Sequence, residues 1–212
     1  MKFMKAITIL SLSALCLFGT SSCQDFLDKE PQSALTADQI YTDLDRLEPT
    51  VDGLYTSFRN TKVNREGFTF YMIGTDEAQQ GIKEVLTYAS QPGFDYYNGQ
   101  LNSSLDKISA MWQSKWPIIN TASLSICGLS ILEESETNEE NLKRIKVLKG
   151  NACFMRAMSM FELAMHWGEV PVVKIESLDQ TDTDYSRRPL SEVWQQIFDD
   201  FTYASENLAD GR

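Results

Sequence analysis

Histidine and cysteine are scarce in this chain, and their scarcity removes whole classes of chemistry. One histidine, His166, and four cysteines, Cys16, Cys23, Cys127 and Cys153, are spread over 212 residues with no CxxC, no HExxH and no Cys/His cluster. A zinc site has no ligand set to draw on, and no metal or cofactor is expected. No GxSxG or similar nucleophile motif accompanies His166, so it reads as a helix-end histidine rather than a catalytic base. Basic charge is also short: 19 Lys and Arg face 30 Asp and Glu, for a formal net charge of -11. Nucleic acid and anionic lipid both favour a basic face, so neither is an expected electrostatic partner. The apolar run at residues 6–18 is 13 residues long, too short to span a bilayer as a helix, which takes ~20. What remains is ordinary for a globular fold: 42% hydrophobic residues with 11% aromatics, enough to bury a sizeable core.

That apolar run has a role at the N-terminus. Lys2 and Lys5 precede it and Gly19, Thr20, Ser21 and Ser22 follow it, the layout of a secretory signal. Small residues followed directly by Cys23 resemble a bacterial lipobox, with Thr20 standing where the usual motif has Leu. Residues 1–22 are expected to be a lipoprotein signal peptide, Cys23 the acylated (palmitate-bearing) N-terminus, and residues 23–37 a lipidated tether. Loss of Lys2 and Lys5 with the signal would take the net charge from -11 to -13. Cys16 follows bulky Leu15 and competes poorly as a cleavage point. Cys127 and Cys153 fall in apolar helical sequence and read as buried free thiols.

Helical spacing dominates the rest. Leu44, Leu47, Val51, Leu54, Tyr55 and Phe58 predict an amphipathic helix over residues 43–59, with Pro49 near its first turn or bending it. Residues 66–75, with Phe68, Phe70 and Tyr71, predict a second helix. Residues 76–102 hold Gly81, Pro92, Gly93 and Gly99 among polar and aromatic residues and predict a long loop; loops beyond ~12–15 residues in a compact domain are usually functional or disordered. Two long helices follow, over residues 104–132 (Pro117 a kink point) and 139–166, with Asn138 as N-cap, Glu139 and Glu140 in the first turn and Gly168 as the stop. Gly150, Ala152 and Ala157 allow close approach of neighbours. The last helix, residues 191–208, carries a stripe of Val193, Ile197, Phe201, Ala204 and Leu208 with no later helix to cover it. Helix-pair arrays bury each stripe against the next unit, so the expectation is the front part of a longer protein: a mainly α, tetratricopeptide-like hairpin array over residues 38–212, with long irregular loops, truncated on its C-terminal side.

Several segments together are similar to one family. These are Ser22-Cys23-Gln24-Asp25-Phe26-Leu27-Asp28, Gly53-Leu54-Tyr55, Thr75-Asp76-Glu77, and Trp112 through Asn120. Further on come Arg156-Ala157 with Phe161 and Leu163 running to Gly168-Glu169-Val170-Pro171, and Arg188-Pro189-Leu190-Ser191-Glu192-Val193-Trp194 with Asp200, Phe201 and Ala204. The chain resembles the SusD/RagB-like nutrient-binding outer-membrane lipoproteins over nearly its whole mature length. The resemblance implies an α-helical lipoprotein on the outer face of the outer membrane, a binder rather than an enzyme. It implies capture of oligosaccharides, or in some members peptides, for a SusC-like TonB-dependent transporter.

Sugar capture needs flat apolar faces and a few fixed hydrogen-bonding groups. Tyr88, Phe94, Tyr96, Tyr97 and Asn98 supply both in the long loop; the resemblance implies that the stretch after Asp76-Glu77 contributes to the ligand site, and Asp76 and Glu77 are counted as candidates with it. The competing reading has these rings anchoring the loop on the helices. Trp112 and Trp116 share a face with Ile108 and Ile119 and read as core. Arg156 reads as a helix-joining arginine, and Glu133, Glu134 and Glu136 as a solvated turn. Two other functions stay open: an envelope protein-interaction scaffold, which predicts a polar groove, and a lipoprotein hydrolase, which needs converging carboxylates or a triad.

Overall fold

The computed structural model describes residues 37–63, 70–78, 102–180 and 184–208, and five helices account for most of these described residues. The chain divides into two units, Met1–Thr36 and Ala37–Arg212, and every described residue belongs to the second. Cys23, the signal and most of the expected tether lie outside the described residues, as do Tyr88, Phe94, Tyr96, Tyr97 and Asn98.

A short helix α1 (Ala37–Tyr41) precedes α2 (Leu44–Val63). The Asp43 carboxylate accepts from the Asp45 N–H at 2.9 Å and caps α2. Leu47, Val51 and Leu54, three and four residues apart, are all but inaccessible on its inner face. Pro49 lies inside α2, a turn beyond the cap. Of the second predicted helix, residues 70–72 are helical, and the chain then turns through residues 73–77.

The long hairpin forms as the periodicity predicts, as α3 (Asp106–Ser135) and α4 (Glu139–Trp167). Asn138 caps α4 by accepting from Glu140 and Asn141 N–H groups. The Glu136 carboxylate accepts from the Thr137 and Asn138 N–H groups, both at 2.8 Å, and from Asn141 Nδ2 at 2.9 Å. Those bonds hold its pKa below the usual carboxylate range. Gly168 ends α4 at φ 71°, a left-handed conformation that glycine adopts without steric cost.

The last helix, α5 (Leu190–Asn207), corrects one expectation. The stripe of Val193, Ile197 and Ala204 is not left open: all three are buried, with Phe201 and Leu208 half-buried. The cover comes from α4, whose Ala157, Met160 and Leu163 join Val193 and Ile197 in one core cluster. Phe154 meets Phe201 at a ring separation of 5.9 Å, and Gly150 leaves room for Leu208, which would lie 3.2 Å from an added Cβ. Arg156 on α4 grips Asp200 on α5 with two 2.7 Å hydrogen bonds and reaches Ser123 on α3 at 3.2 Å, joining three helices as the sequence predicts.

A second core cluster gathers Tyr41, Leu47, Val51, Leu54, Ile118, Ala122, Leu129, Ile145 and Leu148 from α1 to α4. Consecutive helices therefore stack side by side, the packing of a helical-hairpin array. Cys127 and Cys153 are free and buried. Burial, with the nearby Asp200 carboxylate second, pushes the Cys153 thiol up to about 12, so it stays protonated and inert. Among the described residues no helix is long and apolar enough to cross a membrane.

Candidate functional site

Charge has been placed inside the bundle where α2, α3 and α4 meet. Lys115 sits on α3 between Met111 and Ile118 and is only 1% exposed, and Glu162 on α4 is 6% exposed. Their side chains pair at 2.5 Å, and Lys62 from the end of α2 joins the other carboxylate oxygen. The Tyr71 hydroxyl donates to Glu162 at 2.5 Å, and Lys115 donates to Thr61 Oγ1 at 2.8 Å. Burial by itself would raise the Glu162 pKa, but the bonds from Lys115, Lys62 and Tyr71 outweigh it and hold the carboxyl below its usual range. Burial lowers the Lys115 ammonium, against the pull of Glu162. The Lys62 ammonium also lies 3.7 Å from the centre of the Tyr71 ring. This network ties the turn at residues 70–78 to the helical hairpin.

Beside it runs a chain of aromatic rings. Phe70 stacks on Trp167 with planes 11° apart and centroids 6.0 Å apart, and Trp167 meets Trp112 edge to face at 5.4 Å. Trp112 continues to Trp116 at 5.3 Å. Trp112 and Trp116, expected in the core, are half-buried and pack against the core cluster of Val193 and Ile197, as does Trp167. Between Trp112 and Trp167 opens a small wedge of about 160 Å³, edged by Ile108, Ser103, Ser109 and Gln113. Indole surface with two hydroxyls and an amide offers apolar contact for C–H faces and hydrogen bonds for hydroxyls. His166 is exposed at the end of α4, its Nδ1 2.7 Å from the Glu162 carbonyl oxygen, with its ring against Phe70 and Trp167.

Of the residues expected to bind ligand, Asp76 and Glu77 are described. Both are exposed on the turn that follows Tyr71. Gly74, at φ 81°, starts that turn and donates to the Ala78 carbonyl at 3.1 Å, and Thr75 Oγ1 accepts from the Glu77 N–H at 3.3 Å. Tyr88, Phe94, Tyr96, Tyr97 and Asn98 follow in sequence outside the described residues, between Phe70, which stacks on Trp167, and Ser103, which edges the wedge. Sequence reasoning missed Lys62, Tyr71, Lys115, Glu162 and Trp167. The usable signal was a lysine and a glutamate on otherwise apolar helix stripes, since buried charges of this kind come paired.

Two larger cavities lie elsewhere. One, of about 450 Å³, runs between the start of α4 and the end of α5 along Leu142, Val147 and Leu208. The other, of about 590 Å³, sits under the segment joining α4 to α5. Among the described residues no group of three or more His, Cys, Asp or Glu could hold a metal ion.

Comparison with known proteins bears on this arrangement. Residues 25–212 match the SusD-like family model described as starch-binding and associating with the outer membrane. The chain is similar to SusD-like protein P2 of Formosa agariphila, at 25% identity over 89% of this chain and 35% of that protein. It is likewise similar to a SusD-like protein of Bacteroides ovatus, at 26% identity over 98% of this chain and 36% of the relative. The chain thus spans about a third of the length of the curated relatives it matches. In fold it is similar to the crystal structure of a SusD homologue from Bacteroides thetaiotaomicron, with a TM-score of 0.61 at 19% identity over 80% of this chain and 31% of that one. A crystal structure with xylogluco-oligosaccharide matches with a TM-score of 0.53 at 21% identity, over 78% of this chain and 30% of that one.

Proposed function

The chain belongs to the SusD-like family, and from that membership we propose that it serves glycan capture in a lipid-anchored outer-membrane protein facing the cell exterior. Cys23 carries the lipid, and captured oligosaccharide passes to a SusC-like TonB-dependent transporter. The protein binds and does not catalyse. The observation that carries this reading is the wedge between Trp112 and Trp167, where indole surface and the polar side chains of Ser103, Ser109 and Gln113 face one space. Sugar rings combine apolar C–H faces with hydroxyls, and this lining answers both. Asp76 and Glu77, together with Tyr88, Phe94, Tyr96, Tyr97 and Asn98, complete the binding region in this proposal. The starch-binding description of the family and the xylogluco-oligosaccharide in a structural neighbour support starch and xyloglucan fragments as first ligands.

Calorimetry on the chain carrying Cys23→Ser tests the proposal. Saccharide binding weakened about tenfold in a Ser109→Ala/Gln113→Ala variant is expected, the loss of one to two hydrogen bonds. A Tyr96→Ala/Tyr97→Ala variant probes the long loop in the same titration. No binding to any saccharide would sink the reading and favour a protein-interaction scaffold.

A further inference from the structure

Twenty-two residues, 168–189, join α4 to α5; among those described, 168–180 and 184–189, there is no helix or strand beyond one isolated bridge between Pro171 and Arg187. Connections this long in a compact domain are uncommon and usually functional. This one is held firmly at the points described. Val170, Val172 and Val173 are buried, the first two in the core cluster shared with α4 and α5. The Arg188 N–H donates to the Val170 carbonyl at 3.1 Å. Gln180 closes the middle of the segment, accepting from the Glu176 N–H at 3.0 Å and donating to the Lys174 carbonyl at 3.2 Å. Asp184 accepts from the Ser186 N–H at 2.8 Å and from Arg188 Nη2 at 2.7 Å.

These bonds frame the cavity of about 590 Å³, which shares no described lining residue with the wedge. Its described walls carry Lys174, Glu176, Ser177, Arg188 and Glu192, with Val172 as an apolar patch. The chemistry is selective. Arg188 is engaged by Asp184, which leaves Lys174 against Glu176 and Glu192 and a slight negative excess. An anionic ligand is disfavoured by that balance, and an apolar one by the loss of hydration that so many polar groups would suffer. A neutral polyhydroxylated ligand fits: Lys174, Ser177 and Arg188 donate to hydroxyl oxygens, and Glu176 and Glu192 accept from hydroxyl protons. Hydrogen bonds within the segment, most of them from side chains, already set the frame, so little ordering cost falls on binding.

We propose that this cavity is a second saccharide subsite, taking neutral sugar units of a chain longer than the Trp112–Trp167 wedge can hold. The inference rests on the glycan-capture reading and adds a separate place of contact. Its test is calorimetry of the Cys23→Ser chain with neutral glucans of increasing length, comparing Lys174→Ala/Glu176→Ala with Ser109→Ala/Gln113→Ala. Lys174 and Glu176 are exposed, so the melting temperature of their variant should match that of the parent, which separates binding from folding. The expected result is about tenfold weaker binding of the longer glucans in the Lys174/Glu176 variant, and a further loss when both pairs are replaced together. Unchanged affinity for every glucan in the Lys174/Glu176 variant would overturn the second subsite and leave glycan capture standing. An absence of saccharide binding by the parent chain would overturn both.

Discussion

Lys115 is the position where helix periodicity and side-chain chemistry disagree most. It occupies an inward-facing place between Met111 and Ile118, where an apolar residue is the usual choice, and it is folded in because Glu162, Thr61 and the Phe58 ring receive its ammonium. Removing the acid should cost more than the pair contributes, since it strands a buried cation. Glu162→Gln is therefore expected to lower unfolding free energy by about 3 kcal/mol in urea denaturation. The pH dependence has a definite sign. The folded pKa of Glu162 is depressed below the ordinary 4.5, so its contribution is present above the unfolded value and is lost as pH falls through the folded one. The parent should lose stability more steeply on acidification below about pH 4.5 than Glu162→Gln does. Equal acid limbs in the two proteins would contradict the assignment. The lysine was visible in the sequence, but its partners were not, because Thr61, Phe58 and Glu162 lie 54, 57 and 47 positions away and only packing brings them together.

At the scale of elements, the helix boundaries were largely legible. Asn138 and Gly168 bracket α4 through a side-chain cap and a positive φ, both of which are local effects. Contacts between elements were less legible. Gly128 lies inside α3, where an added Cβ would land on the Tyr41 carbonyl oxygen of α1, a contact that helix periodicity does not signal. Alanine gains about 1 kcal/mol over glycine in a helix interior, and overpacking costs about 1–3 kcal/mol. The expected net effect of Gly128→Ala is destabilisation. Hydrogen exchange should speed up at residues 37–41 first, whereas slower exchange there would refute the close contact. The α5 stripe teaches the same lesson from the other side. Its apolar spacing correctly announced a buried face, but α4, a wide-faced helix earlier in the chain, provides the cover.

On the whole molecule, covering that stripe leaves a different apolar surface. Met165 is 61% and Phe198 59% exposed, and Trp194 stacks on Phe198 at 5.8 Å while meeting Phe161 edge-on at 5.9 Å. Patches of this kind promote association in a soluble chain. Sedimentation velocity is expected to show concentration-dependent self-association that Phe198→Lys reduces. Being exposed, that substitution should change stability by no more than about 0.5 kcal/mol. A large stability loss would instead mean that Phe198 is part of the core.

The division between what sequence and tertiary structure decide follows the range of the forces involved. The sequence by itself determined the helical class, the ends of α4 and α5 to within a residue, the free thiols and the family resemblance, because periodicity, caps and motifs are short-range signals carried by neighbouring residues; α3 runs through Ser135, three residues past the predicted end at 132. It also singled out Arg156 as a helix-joining residue, since an arginine on an apolar face needs a partner. Only the tertiary structure decided that the partner is Asp200, that Trp112 and Trp167 edge a wedge while packing on the core, and that the α4–α5 segment frames a polar cavity. Those outcomes depend on which faces of distant helices meet. Burial selects that pairing collectively, and no window of neighbouring residues contains it.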